Sequence, residues 1–165
     1  RLNLAQVKTK SLFLLRQFYT RIQEYMTKLT QMIRRHEGVK HFAYEDSLGY
    51  LTIGAGRSID SRIGLGLSDA EIEYLLKNDI DRVREELKSN FPWFHNLNKA
   101  RKDAIISICF NLGLPKFMKF EKALAAMAEE DYITASNEFL DSRWALQVGA
   151  RAMELAEMIE TGEYY

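Results

Sequence analysis

One glycine-punctuated stretch, residues 41–60, interrupts a chain whose patterning is otherwise helical. Its letters FAYEDSLGYLTIGAG mix aromatic and β-branched residues with glycines, which is typical of short strands joined by tight turns. The letters SLG are the best candidate for a hairpin tip. This single patch predicts an α+β fold, in which a small sheet lobe packs beside a helical lobe.

Helical periodicity covers most of the remaining chain. Residues 1–36 contain no Gly or Pro, and their apolar residues recur at steps of three and four. The letters SDAE, Ser68 to Glu71, form a capping-box pattern that predicts a helix ending near the letters SNFPWF. A central helix is predicted after Asn98, because nearly all of its surface is apolar, and the letters GLPKF are expected to break it. Further helices are predicted at about 119–129, 132–141 and 149–161.

The net charge of zero conceals two regions of opposite sign. Residues 1–35 contain eight Lys or Arg and one Glu, a net charge of +7. Residues 36–165 contain fifteen Lys or Arg and twenty-two Asp or Glu, a net charge of −7. Because a basic amphipathic helix can lie on an anionic membrane, residues 1–35 are a candidate membrane-contacting segment. The acidic remainder would repel phosphate, so we expect no nucleic-acid partner.

Several classes of protein are excluded by what the sequence contains. A single cysteine, Cys109, excludes an internal disulfide framework, and its apolar neighbours predict a buried, inert thiol. No run approaches the roughly 18 apolar residues of a membrane span, and the N-terminus lacks the shape of a signal peptide. The histidines are scattered and no glycine-rich phosphate loop occurs, so we expect neither a metal nor another cofactor.

Two carboxylates and a hydroxyl surround the start of the sheet patch. Glu37 ends the first helix, Asp46 follows nine positions later in the hairpin turn, and Thr52 follows six positions further on. A helix end that faces a hairpin can bring all three to one cleft. Glycosidic hydrolysis needs such a pair, since one carboxyl protonates the leaving oxygen while the other activates water. An Asp in such a turn also has a simpler explanation, because Asp often serves only to form the turn.

The letters HEGVKHFAYEDSLGYLTIGAG resemble the catalytic segment of phage lysozymes of the T-even type, which are glycoside hydrolases and endolysins. That family's pattern has Glu-Gly, a carboxylate nine positions after the Glu, and a Thr six positions after the Asp. The letters ARKDAIISICFNLG resemble the buried core helix of that family, and SRWALQVGARAMELAEMIETGEYY resembles its C-terminal end. The resemblance covers roughly residues 30–165.

This resemblance implies a lysozyme-like α+β fold. It implies a three-stranded antiparallel β lobe at about 38–66 and a helical lobe at about 68–165, joined by helices. Together these lobes form a muramidase domain at 26–165, and the protein is expected to be a monomer. Residues 1–25 match nothing in the family, and we interpret them as a basic helical extension. Met26 looks like a natural start.

The resemblance also implies a reaction. Glu37 would be the general acid, and Asp46 would position or activate the attacking water, with Thr52 beside it. The substrate would be bacterial peptidoglycan, cut at the β-1,4 bond between N-acetylmuramic acid and N-acetylglucosamine with inversion. The enzyme would lie in the host cytoplasm before lysis and act on the wall after membrane permeabilisation.

Further site residues follow from the same resemblance. Arg151 matches an arginine that pairs with the catalytic Glu across the lobes. Phe110, Asn111 and Glu138 match positions that bind the sugar chain, although packing is an equal explanation for the first two. Trp144 is expected to be a core anchor rather than a sugar platform. No metal ligand is implied.

One departure and two alternatives remain. The family usually has His where this sequence has Arg57, which affects local pairing rather than catalysis. One alternative function is a membrane-active cationic helix fused to a lysozyme domain. Another is a non-catalytic peptidoglycan-binding module, although such a module would be expected to lose Glu37 or Asp46.

Overall fold

The structure is a computed structural model, and it describes Arg21 and residues 27–165. The chain divides between Ser68 and Asp69 into two compact units. The extension predicted at 1–25 and the start at Met26 lie outside the described residues, apart from Arg21, and they stay predictions.

The first unit contains a helix and a sheet. Residues 27–37 are helical (α1), and Gly38 follows with φ +71°, a left-handed conformation that commonly ends a helix. The three strands form an antiparallel sheet in the order β1-β2-β3, which confirms the predicted sheet. They are β1 (Lys40–Glu45), β2 (Leu51–Gly54) and β3 (Arg57–Ser58).

The hairpin between β1 and β2 carries the turn that the sequence predicted. Tyr44 is paired with Thr52, and the register shifts between that pair and the one formed by Lys40. The residues of the SLG tip form the turn itself. A short 3₁₀ turn, Ser61–Ile63, follows the sheet.

The second unit is helical. Its longest helices agree with the predicted ones, and Asn98 caps the central helix α3 by accepting from the Arg101 N–H at 3.0 Å. Among the described residues, this unit contains α2 (Asp69–Asn90), α3 (Lys99–Leu112), α4 (Leu114–Phe117), α5 (Glu121–Ala128), α6 (Tyr132–Leu140), α7 (Arg143–Val148) and α8 (Ala150–Thr161).

Two short helices were not predicted. Gly113 ends α3 as expected, but Pro115 then lies in the first turn of α4, where a proline is tolerated because its missing N–H needs no partner. The six residues of α7 are too few for a periodic pattern, and Ser142 starts this helix by accepting from the Ala145 N–H at 3.0 Å.

The apolar core lies in the helical unit. All buried hydrophobic side chains among the described residues fall between Val83 and Ile159, and α3 supplies six of them. Cys109 is fully buried, as predicted, and burial raises the pKa of its thiol to about 11. In the part of the chain that the structure describes, no helix is long and apolar enough to cross a membrane.

Candidate active site

Glu37 lies at the end of α1 and reaches the turn between β2 and β3. Its side chain is exposed, and Oε2 lies 3.7 Å from the position that a Cβ would occupy on Gly56. Gly56 has a φ of +83°. The turn therefore adopts a left-handed conformation at Gly56 that a glycine allows without strain, and the carboxylate lies beside this residue.

Asp46 holds the hairpin turn through one of its two carboxylate oxygens. Oδ1 accepts from the N–H groups of Leu48 at 2.8 Å and Tyr50 at 2.9 Å. The backbone adds two more bonds, since Gly49 N–H donates to the Asp46 carbonyl and Asp46 N–H donates to the Tyr50 carbonyl, both at 3.0 Å. Asp46 therefore does form the turn, and Oδ2 is the oxygen that remains for a water molecule.

Thr52 is 4% exposed and lies next to the same turn. Its hydroxyl donates to the Tyr50 carbonyl at 3.2 Å, which leaves the hydroxyl oxygen able to accept a hydrogen bond. Tyr50 thus accepts from Asp46 and Thr52 through one carbonyl. The structure brings these two predicted site residues together around a shared anchor.

Ser58 is a further polar residue that the sequence did not single out. It is paired with Thr52 across β2 and β3, so the two side chains share one face of the sheet. The Ser58 hydroxyl is buried and has no hydrogen-bond partner among the described residues. Buried polar groups ordinarily bind protein or water, which makes this face suitable for an ordered water.

Asp60 and Arg62, which sequence reasoning also missed, follow β3 and form hydrogen bonds to the hairpin. Asp60 is 4% exposed. Its Oδ2 accepts from the Leu51 N–H at 2.9 Å, and both of its oxygens accept from Arg62. Arg62 in turn donates to the Gly49 carbonyl and lies over the Tyr50 ring, 5.1 Å from its centroid. Hydrogen bonds from Arg62 and then from Leu51 hold the pKa of Asp60 well below its usual range.

Arg57 occupies the position where the resemblance expects His. Its guanidinium donates to the carbonyl of Gly66 at 2.7 Å. This bond ties β3 to the loop before Ser68, and the expected change of local pairing relative to a His stays a prediction.

The predicted sugar-binding residues lie in the second unit and do not share one cavity. Glu138 and Trp144 line a groove of about 1070 Å³, and Asn111 accepts from Trp144 Nε1 at 2.9 Å. Trp144 is 6% exposed, so it is buried as expected. Phe110 is 43% exposed and lines a separate cavity of about 490 Å³ together with Ile80. The structure thus groups Asn111 with Glu138 through Trp144 and places Phe110 elsewhere.

Two other expectations stay predictions. Arg151 is exposed in the first turn of α8, and its predicted pairing with Glu37 would join residues of different units. Among the described residues, no group of three or more His, Cys, Asp or Glu could hold a metal ion.

Comparison with known proteins adds an independent line of evidence. The phage lysozyme family profile matches residues 34–157. "Probable T4-type lysozyme 1" of Dictyostelium discoideum is 26% identical over 83% of this chain and 96% of that protein. The endolysin of Acyrthosiphon pisum secondary endosymbiont phage 1 is 31% identical over 69% of this chain and 75% of that protein.

A third relative contains the matching region within a much larger protein. The pre-baseplate central spike protein Gp5 of Enterobacteria phage T4 is 26% identical over 81% of this chain, and the match spans 28% of that protein. The family profile covers most of the chain, including Glu37, Asp46 and Thr52. The chain therefore belongs to the phage lysozyme family of glycoside hydrolases.

Proposed function

We propose that this lysozyme cuts the β-1,4 bond between N-acetylmuramic acid and N-acetylglucosamine in bacterial peptidoglycan, and that it serves host-cell lysis. The observation that carries the proposal is the set of hydrogen bonds to Tyr50. Its carbonyl accepts from the Asp46 N–H and the Thr52 hydroxyl, and its N–H donates to Asp46 Oδ1, which holds Asp46 and Thr52 beside one another. The endolysins among its relatives support the lytic role. The enzyme is a monomer that lies in the host cytoplasm before lysis and reaches the wall once the membrane is permeabilised.

Glu37 is the general acid in this proposal. A general acid must place its proton within hydrogen-bond distance of the leaving oxygen. Glu37 is exposed at the end of a helix, and its carboxyl group lies beside Gly56, which has no side chain. Its side chain is therefore accessible to a bound sugar. Gly56 keeps the adjacent turn free of a side chain that would occupy the space beside the carboxyl group.

Asp46 and Thr52 position the water. The turn occupies Oδ1 of Asp46, so Oδ2 accepts a proton from the attacking water. The hydroxyl of Thr52 donates to Tyr50 and accepts from the water, and Ser58 offers a second hydroxyl on the same face. A water held by a carboxylate attacks the sugar face opposite the leaving group, which inverts the anomeric configuration.

The sugar chain extends beyond these residues in the proposal. Glu138 contacts it from the groove that Trp144 lines, Asn111 contacts it beside Trp144, and Phe110 contributes its exposed ring. Arg151 supports Glu37 by pairing with it. The membrane-contacting role of residues 1–35 is an alternative that depends mainly on residues outside the described ones.

The test is digestion of purified sacculi by the wild type and by Glu37→Gln, Asp46→Asn and Glu45→Gln. Mass spectrometry should show muropeptides with a new reducing end on muramic acid. Glu37→Gln should lose about 10²–10⁴-fold in rate because the amide cannot donate the proton. Glu45 is an exposed neighbour on β1, so Glu45→Gln is the matched control and should retain the wild-type rate.

Two results would overturn parts of this proposal. Cleavage of peptide or amide bonds alone would reject the muramidase assignment. A Glu37→Gln rate above about a tenth of the wild type would reject Glu37 as the acid. The anomer that forms first, observed by NMR, separates inversion from retention.

A further inference from the structure

Asp60 and Arg62, called here the brace, contact the hairpin at the residues that Asp46 also holds. Asp46 accepts from the Gly49 N–H through its backbone carbonyl and from the Tyr50 N–H through Oδ1. Arg62 binds Gly49 through its carbonyl and covers the Tyr50 ring. Asp46 and the brace therefore both bind Gly49 and Tyr50 and use different groups on each, and Tyr50 is the residue of the two that contacts the Asp46 carboxylate itself.

Asp60 makes the brace rigid. Its carboxylate accepts four hydrogen bonds, three from Arg62 and one from Leu51, which matches the roughly four lone-pair sites that a carboxylate offers. The group is 4% exposed, so water competes little for these bonds. Leu51 is the first residue of β2, and its carbonyl accepts from the Ile59 N–H at 2.9 Å. The brace thus ties the end of the hairpin to the segment that follows β3.

We propose that Asp60 and Arg62 are positioning residues for the reaction, because they fix the hairpin turn that aims Asp46 at the attacking water. This inference rests on the proposed function, in which Asp46 activates that water. The brace touches neither the sugar nor the water itself. Its effect passes through Gly49, Tyr50 and Leu51 to the carboxylate of Asp46.

Positioning of this kind affects turnover more than binding. A displacement of about 1 Å in a catalytic group can lower the rate by about 10²-fold. Loss of the Arg62 contact leaves the Asp46 turn intact through its own backbone bonds, so a smaller displacement and a loss of about tenfold are expected. Substrate affinity should change little, since the residues proposed to bind the sugar lie in the second unit.

The experiment compares kcat and KM on soluble peptidoglycan for Arg62→Gln, Asp60→Asn and Arg82→Gln. Arg82 is the matched control, because its side chain is 59% exposed and pairs with Asp79 at 3.1 Å, while that of Arg62 is 62% exposed and pairs with Asp60 at 2.5 Å. We expect kcat to fall about tenfold in both brace variants, with KM within about twofold of the wild type. Arg82→Gln should match the wild type.

A double variant separates positioning from a general loss of stability. In the Asp46→Asn background, Arg62→Gln should lower the residual rate by less than about twofold, because the carboxylate that the brace aims is gone. An equal loss in both backgrounds would mean that the brace stabilises the fold without aiming Asp46, and the inference would be wrong. If Asp60→Asn does not fold, the result for Arg62→Gln alone tests the inference.

The same set of variants distinguishes the inference from the function on which it rests. If Asp46→Asn keeps the wild-type rate, the proposed function fails. If Asp46→Asn keeps only a small residual rate while folded Arg62→Gln keeps the wild-type kcat, only the brace proposal fails. If both variants lose kcat and do so non-additively, both proposals stand.

Discussion

The carboxylate of Glu37 lies against Gly56, with Oε2 3.7 Å from the place where a Cβ would project. The two residues are nineteen positions apart in the sequence and belong to a helix end and to the turn between β2 and β3. A distance of 3.7 Å is ordinary van der Waals contact, so a methyl group at residue 56 would touch the carboxyl group without a clash.

Gly56→Ala should therefore affect activity beyond its effect on stability. The φ of +83° makes any side chain strained, which costs about 1 kcal/mol or somewhat more. The added methyl would also occupy the space beside the Glu37 carboxyl group that water or the sugar can otherwise use, and we expect kcat to fall by about tenfold. Gly64→Ala is the control, because Gly64 has a φ of +68° and no atom within 4 Å of its Cβ position. Equal kcat in the two variants, at similar melting temperatures, would contradict this reading.

The brace should make the hairpin sensitive to acid. The pKa of Asp60 is depressed in the folded state, so between this pKa and the ordinary value of about 3.9 the unfolded chain binds more protons. Stability then rises with pH. The contribution of Asp60 is present above about pH 4 and is lost as the pH falls below it. The amide signal of Leu51, followed by NMR during thermal melts between pH 5 and 3, reports this loss locally.

Asp60→Asn is the control for that measurement, because an amide does not titrate. Its hairpin should be weaker at pH 5 and should lose little more on acidification. A local probe is needed, since other carboxyl groups with depressed pKa values, such as Asp131 capping α6, lie in the second unit. If the Leu51 signal of the wild type is as acid-insensitive as that of Asp60→Asn, the depressed pKa has no such consequence.

Trp144→Phe should separate packing from glycan binding in the groove. The change removes the Nε1 donor to Asn111 and part of a ring that is 6% exposed. It should lower the free energy of unfolding by about 1–3 kcal/mol. Because Asn111 would then lose its fixed orientation, we expect KM to rise several-fold. Trp93→Phe, which changes a tryptophan outside the groove, should leave KM unchanged. An unchanged KM in Trp144→Phe would assign Asn111 to packing alone.

Gly162→Ala should destabilise the helical unit. Gly162 ends α8 with φ +76°, and a Cβ there would lie 2.6 Å from both Arg101 Nη1 and Asn98 Nδ2. Those side chains donate to the Ile159 and Gly162 carbonyls at 2.7 and 2.8 Å. Backbone strain and the disturbed hydrogen bonds together should lower the free energy of unfolding by about 2–4 kcal/mol, as measured by urea unfolding.

Gly64→Ala is the matched control for that change, because Gly64 has the same left-handed conformation, with φ 68° and ψ 18° against 76° and 15° for Gly162. No atom lies within 4 Å of its Cβ position. Gly64→Ala should therefore lower the free energy of unfolding only by the backbone strain of about 1–2 kcal/mol. A loss in Gly162→Ala no larger than that in Gly64→Ala would show that Arg101 and Asn98 move aside freely.

Elements whose signals are local in sequence were predictable. Asn98 begins α3 and Gly113 ends it, and both were predictable because a cap acts on residues within one turn. The SLG letters define the hairpin tip for the same reason. The candidate catalytic pattern was visible as well, since Glu37, Asp46 and Thr52 lie within sixteen residues. A resemblance extending over most of the chain then supplied the class of protein, and the family comparison confirmed it.

The brace could not be predicted because its contacts are remote in sequence. Asp60 binds an amide nine positions away, and Arg62 binds a carbonyl thirteen positions away, so no periodic pattern contains them. The only local signal is that Asp60 accepts from the Arg62 N–H two positions later, as in many loops. Phe110 and Glu138 line different cavities, and this arrangement likewise depends on how the helices pack.

The location of the apolar core sets a limit on the temperature at which the enzyme can work. Buried hydrophobic side chains, among the described residues, begin at Val83, whereas the buried residues near Asp46 are the polar Thr52 and Asp60. A segment held mainly by hydrogen bonds can open locally at a lower free energy than a packed core. Activity should then disappear on heating before the helices melt. Substitutions that improve the core would raise the melting temperature without extending the working range, and engineering for heat tolerance has to begin at the hairpin.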